Sequence, residues 1–287
     1  MNWRIHLLSK IIYISDFFAS QVLGGGELND EILLSELETR KIEVIRINSH
    51  LVSPDNLENV EGVIVSNFVN LSEKAKDKLM SSCNYVIYEH DHKYLKNRNP
   101  AQFKNFIAPS SMIINKSFYE NAKAVFCQSS FHEKIVVENL NLNNVFNVSG
   151  NLWSKKTLRT IRNLLGEKKT DCYSILQSQT PHKNTMDALS YCELKGYNHE
   201  LVSSANYHDF LKKLSNNDKL LFLPKTPETL SRIVVEAKMM GVKVITNKNV
   251  GASYEDWFRL SSEEIIDIMD EKRGFICEKV MEFLSEK

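Results

Sequence analysis

Short apolar runs alternate with longer amphipathic ones along nearly the whole chain, and this alternation restricts the fold more than any other feature. The short runs are rich in β-branched and aromatic residues: KIIYIS (10–15), IEVIRI (42–47), GVIVSN (62–67), YVIYEH (85–90), KAVFCQ (123–128) and NVFNVS (144–149), then CYSILQ (172–177), HELVSS (199–204), KLLFLP (219–224) and VKVIT (242–246). Runs of this kind read as strands, and the helix-length stretches between them supply crossovers, so the strands should lie parallel in βαβ units. ELNDEILLSELETR (27–40) shows the helical half of the pattern, with Ile32, Leu33, Leu34 and Leu37 on one apolar stripe. After Gly150 a helical stretch, WSKKTLRTIRNLL, leads into the charged GEKKTD, and then the alternation resumes.

The predicted fold class is α/β, with two Rossmann-like parallel-sheet domains facing across a cleft. Their expected bounds are 1–150 and 170–270, joined by a linker over 151–169, with a C-terminal helix over 271–287 that packs back on the N-terminal domain. Ligands of open parallel sheets bind outside the carboxyl ends of the strands, so chemistry is sought in the loops that follow each strand.

Composition removes several alternatives. Lys plus Arg and Asp plus Glu number 36 each, so no global charge draws the chain of 287 residues onto nucleic acid, and stable nucleic-acid binding is not expected. The five cysteines include no C-x-x-C pair and no zinc-spaced cluster, and read as reduced core residues of a cytoplasmic protein. MNWRIHLLSKIIYISD has neither the apolar length nor the cleavage site of a leader, and no run approaches the ~18 apolar residues of a membrane span. Peripheral membrane contact is compatible with this composition.

The stretch PETLSRIVVEAKMMGVKVITNKNVGA (227–252) places Glu228 in the loop after a strand and Glu236 inside the following helix. Thr229 or Ser231 is the expected N-cap, and Gly241 the expected stop. If both glutamates were helical, about 12 Å of rise would separate them, so they suit two ends of one elongated ligand rather than one atom. The helix start between them favours a phosphate. Hydroxyls, phosphates and hydroxyls in series describe a nucleotide sugar; the plain alternative is two ordinary surface carboxylates. A second stretch, GGGELND (24–30), sets three glycines between a strand and a helix, where the backbone can approach a ligand and adopt positive φ. Its spacing is neither Walker A nor G-x-G-x-x-G.

Residues 227–252 resemble the E-x7-E segment of retaining GT-B glycosyltransferases of the family-four type. Glu228, Glu236, Ala237, Gly241, Val244, Ile245 and Gly251 stand in register, whereas Thr229, Leu230 and Ser231 replace the usual Gly-Phe-Gly, and Lys243 the usual proline. GGGELND resembles the family's G-G-x-E loop. The resemblance makes Glu228 and His90 the catalytic candidates. It makes Gly25, Gly26, Lys183, Thr229, Leu230, Ser231, Arg232 and Glu236 donor-binding, and Glu27 and His92 candidates on the acceptor side. Lys183, in TPHKNTMDALS, would be the pyrophosphate lysine; the family's companion arginine is absent, and Arg232 is the expected substitute.

The implied reaction moves a hexose from a nucleotide diphosphate sugar, UDP before GDP, to a hydroxyl of a glycan, lipid-linked or other acceptor, with retention and without a metal or other cofactor. Two alternatives come from other classes. YEHDHKYLK (88–96) puts His90, Asp91 and His92 in a row, with the two histidines on one side if the strand continues, a start for a metal-dependent hydrolase. The departures around Ser231 also suit a non-catalytic nucleotide- or sugar-binding module.

Overall fold

The computed structural model describes residues 8–285. All ten runs predicted as strands form strands: β1 (Lys10–Ser15), β2 (Glu43–Asn48), β3 (Gly62–Val65), β4 (Tyr85–Tyr88), β5 (Val125–Cys127), β6 (Val145–Asn147), β7 (Thr170–Leu176), β8 (His199–Val202), β9 (Asn217–Phe222) and β10 (Lys243–Thr246). The helices are α1 (Gly25–Thr39), α2 (Glu73–Ser82), α3 (Lys116–Glu120), α4 (Ser130–Leu140), α5 (Lys155–Leu165), α6 (Thr185–Lys195), α7 (Tyr207–Asn216), α8 (Arg232–Met239) and α9 (Ser262–Ser285).

The chain divides into two compact units. The first holds the residues up to Gln128, Glu133–Leu152 and those from Lys272 on; the second holds Ser129–His132 and Trp153–Glu271. Unit 1 carries a six-stranded sheet in the order β2-β1-β3-β4-β5-β6, and unit 2 a four-stranded sheet in the order β10-β9-β7-β8. Every pairing within both sheets is parallel. In each sheet the chain first steps to one side and then to the other, so order reverses between β1 and β3 in unit 1 and between β7 and β9 in unit 2. These are the positions where parallel sheets open a crevice for a ligand.

Each sheet is covered by helices that bury their apolar stripes. Leu33, Leu34 and Leu37 of α1 are fully buried beside Ile11, Tyr13, Ile64 and Val86, each leucine contributing roughly 1.5–3 kcal/mol by leaving water. Ile276, Cys277, Val280 and Leu284 of α9 lie in the same core. Residues 155–165, read as a helical stretch within the expected linker, form α5. Leu158, Ile161 and Leu164 recur at the spacing of one helix face and enter the core of unit 2 with Leu211, Leu220 and Val234. The expectations for a leader rest in part on residues 1–7, outside the described residues. No described helix is long and apolar enough to cross a membrane.

Candidate functional site

In unit 2 the site is built from the loops that leave the two strands flanking the reversal. The loop after β7 ends in a turn at Pro181–Lys183, and the loop after β9 leads to Glu228. Asn184 Nδ2 donates to the Leu223 carbonyl (2.8 Å) and the Lys225 amide to the His182 carbonyl (2.9 Å), which binds one loop to the other. Lys183 Nζ then reaches both carboxylate oxygens of Glu228 at 2.8 Å.

Glu228 sits in extended chain rather than helix. Its amide donates to the Asn249 carbonyl (2.8 Å), and its carbonyl accepts from the Gly251 amide (3.0 Å). The two segments run so close that a Cβ on Gly251 would collide with the Thr229 carbonyl oxygen and the Ser129 hydroxyl. A glycine is required by that approach.

Helix α8 starts at Arg232. Ser231 holds the N-cap position at φ 78° and its hydroxyl caps nothing. In this conformation a side chain is strained and a glycine would be at ease. The expected cap by Thr229 or Ser231 is therefore not made, and the first turn of α8 keeps the amides and positive dipole end that suit an anion. Gly241, at φ 72°, lies just past the helix end as expected. Leu230 is wholly buried in the core, so its side chain does not face a ligand, while Thr229 is half-buried.

Glu236, one turn into α8, is buried. Its Oε1 accepts from Trp153 Nε1 at 3.0 Å and from the Tyr207 hydroxyl, and Arg232 Nε lies 3.5 Å away. The Arg232 guanidinium lies over the Trp153 ring at 4.3 Å and donates to the Tyr207 oxygen at 3.3 Å. Burial first, and the Glu236 charge second, push the Tyr207 phenol well above its ordinary range. Each cation is thus paired with one of the two glutamates, Lys183 with Glu228 and Arg232 with Glu236. Trp153 and Tyr207 stand 83 and 29 positions from Glu236 and carry no motif, so sequence reasoning had no signal for them.

Unit 1 gathers a second set of groups at the carboxyl ends of its strands. α1 begins at Gly25, and Gly24 takes φ −119°. The positive φ expected of the glycine run is not used. Glycine matters here for space, because Glu27 folds back onto Gly24 where a Cβ would stand. Burial raises the Glu27 carboxyl above its usual range despite opposing help from its own backbone amide and His90.

His90 follows β4 and packs under Gly26, whose Cβ position is 3.5 Å from the ring. Its Nε2 meets Asp30 Oδ1 at 2.8 Å and its Nδ1 meets Gln128 Nε2 at 2.7 Å. Gln128 Nε2 also donates to the Glu89 carbonyl at 3.1 Å, and its Oε1 accepts from Asn151 Nδ2 at 3.2 Å. That orientation makes Gln128 a donor to Nδ1, which assigns the imidazole proton to Nε2 and the hydrogen bond onward to Asp30. Both ring nitrogens are committed inside unit 1. Asp30 and Gln128 were not among the sequence candidates.

The shared side for His90 and His92, which required the strand to continue, is not formed. β4 ends at Tyr88 and His92 turns to φ 59°. It is buried, with Nδ1 at 3.0 Å from the Tyr94 hydroxyl, so it does not face solvent as an acceptor-side group. Asp91 pairs with Lys93 at 2.7 Å and Arg98 at 3.0 Å. Among the described residues no three His, Cys, Asp or Glu side chains are grouped to hold a metal ion, so the constellation behind the hydrolase alternative is dispersed.

No protein-family model and no curated protein matches the chain. Solved structures do. HepE from Anabaena, in complex with UDP and glucose, is 16% identical with a TM-score of 0.53, over 97% of this chain and 95% of that one. Sucrose-phosphate synthase from Thermosynechococcus elongatus is 10% identical with a TM-score of 0.57, over 96% and 94%. An α-glucosyltransferase in complex with UDP and a 13-mer DNA containing an HMU base is 12% identical with a TM-score of 0.50, over 96% and 94%. With glycosyltransferases as its neighbours over nearly their whole length, and two parallel sheets of six and four strands, this chain has the GT-B fold.

Proposed function

We propose that the protein is a glycosyltransferase that moves a hexose from a nucleotide diphosphate sugar, UDP before GDP, to a hydroxyl acceptor with retention at the anomeric carbon. The observation that carries the reading is the pair of ion pairs, Lys183 with Glu228 and Arg232 with Glu236, on either side of the uncapped start of α8. A diphosphate at that helix start meets backbone amides and the positive dipole end, and takes Lys183 from Glu228. Released, Glu228 is free to accept hydrogen bonds from the sugar. Glu236, fixed by Trp153 and Tyr207, offers Oε2 to ribose hydroxyls.

Stabilising the departing diphosphate falls to Lys183, Arg232 and the α8 amides, so the reading requires no metal. His90, with both nitrogens occupied, serves as a brace beneath Gly26 at the start of α1, and Glu27 is the carboxylate on that side for an acceptor hydroxyl. The neighbours with bound UDP support the choice of base.

The test is calorimetric titration with UDP, GDP, ADP and CMP, with and without chelator, on the natural chain and on Glu236→Ala. Selective diphosphate binding that is indifferent to chelator and weakened by the substitution is expected. No binding of any nucleotide would refute the reading. Binding without turnover across a broad acceptor panel would point instead to a non-catalytic module.

A further inference from the structure

The chain is neutral overall, but its charges are not evenly spread. From His92 to Tyr119 there is no Asp or Glu, while Lys93, Lys96, Arg98, Lys104 and Lys116 fall in that stretch. Most of it is a loop of unit 1 that rises from the carboxyl end of β4, beside His90. The loop is firmly built. A short antiparallel stem joins the Ile114 amide to the Tyr94 carbonyl (2.8 Å) and the Lys96 amide to the Met112 carbonyl (3.1 Å). Its base is fixed by Lys93, buried against Glu89 at 3.2 Å. Asn139 of α4 holds the far side, accepting from the Ala108 amide and donating to the Phe106 carbonyl, both at 2.9 Å.

What the loop displays is Lys96, Arg98, Gln102, Lys104 and Asn105, all exposed, with Phe103 and Phe106 half-exposed between them. Arg98 and Phe106 are held at φ 52° and 64°. Side chains of that bulk adopt such angles only where the surroundings impose them, a form of strain that gathers at ligand-contacting segments. Arg98 is tied to Asp91. Lys96 and Lys104 pair with no carboxylate among the described residues.

We propose that the 96–107 loop is the contact surface for a nucleic-acid strand, with Lys96 and Lys104 on phosphates and the two phenylalanine rings on base faces. Cations interleaved with aromatic rings and side-chain amides suit phosphates, base faces and base edges together. Anionic membrane surfaces call for denser clusters, about four to eight cations side by side. Two phosphate contacts give weak, salt-sensitive engagement, in keeping with a chain of zero net charge.

The experiment measures fluorescence anisotropy of a labelled 20-nucleotide DNA strand with the full chain between 50 and 200 mM salt. It is repeated on Lys96→Glu/Lys104→Glu and on Lys96→Arg/Lys104→Arg, with UDP titration alongside. Two phosphate contacts predict about a tenfold loss of affinity over that salt range. The glutamate variant should weaken DNA binding at least tenfold at low salt and flatten the salt dependence, the arginine variant should retain both, and UDP affinity should be unchanged in each. DNA binding that ignores the glutamate substitutions, or capture by phosphatidylglycerol vesicles but not by DNA, overturns the surface assignment and leaves the donor reading standing. Failure of the natural chain to bind UDP sinks the donor reading, while the DNA titration still judges the surface.

Discussion

Replacing Glu228 by glutamine separates donor binding from transfer, because the same carboxylate competes with the ligand for Lys183. Both Glu228 oxygens lie 2.8 Å from Lys183 Nζ. A phosphate oxygen engaging the same ammonium would stand about 5 Å from the carboxylate, given N–O contacts of ~2.8 Å on each side. At that separation the repulsion between one phosphate charge and Glu228 is roughly 0.8 kcal/mol in bulk water and about 3 kcal/mol near a protein surface. Lys183 and Glu228 are 34% and 14% exposed, which favours a middle value, so removing the charge should strengthen UDP binding about tenfold. The amide keeps the shape but is a poorer partner for sugar hydroxyls, so transfer should fall at least a hundredfold. Calorimetry with UDP and a hexose-release assay with the intact donor read the two effects. If Glu228→Gln weakens UDP binding, the carboxylate does not compete with the diphosphate and the arrangement deduced for Lys183 is wrong.

Three further outcomes follow from the same geometry. Trp153→Phe removes the indole donor to buried Glu236 and should cost about 1–3 kcal/mol in urea unfolding, together with weaker UDP binding; an unchanged midpoint would show that Glu236 is satisfied without it. Gly251→Ala forces apart the segments carrying Thr229 and Gly251 and should cost about 1–3 kcal/mol, with loss of donor binding, unless the extended pair relaxes freely. Lys93→Met leaves Glu89 buried without its cation and should cost about 3–5 kcal/mol at neutral pH. Burial alone would raise the Glu89 carboxyl, but Lys93 and the Tyr119 hydroxyl overcome it and hold it below its ordinary value of 4.5. The natural chain therefore has this stabilisation in full above about pH 4.5 and loses it as pH falls through the depressed value. In the variant burial prevails, the carboxyl is raised, and stability should decline as pH rises from about 4.5 toward neutrality. Parallel pH profiles for the two proteins would show that Glu89 and Lys93 are not coupled.

Much of the fold was legible because strands and helices write their periods locally. Every predicted strand forms, and α1 buries the leucines that its stripe selected. The loop positions of Lys183 and Glu228 were legible for the same reason, since each follows a recognisable strand. α5 was legible as a helix within the linker, but only the core that receives Leu158, Ile161 and Leu164 shows that it belongs to unit 2. Ser231 shows the limit at one residue. Sequence marks it as a natural cap, but the fold holds it at φ 78° and its hydroxyl caps nothing.

The sequence by itself determined two sets of parallel βαβ units, the E-x7-E segment, and the residues of opposite charge that follow the strands, because each depends on contacts between near neighbours in the chain. Only the tertiary structure decided which charges pair. Glu236 meets Trp153 and Tyr207, His90 is clasped by Asp30 and Gln128, and His92 turns away from His90 into the core. Those choices depend on strand order, which brings loops distant in sequence to the same sheet end, and on burial, which leaves a polar group no stable option but the partner beside it.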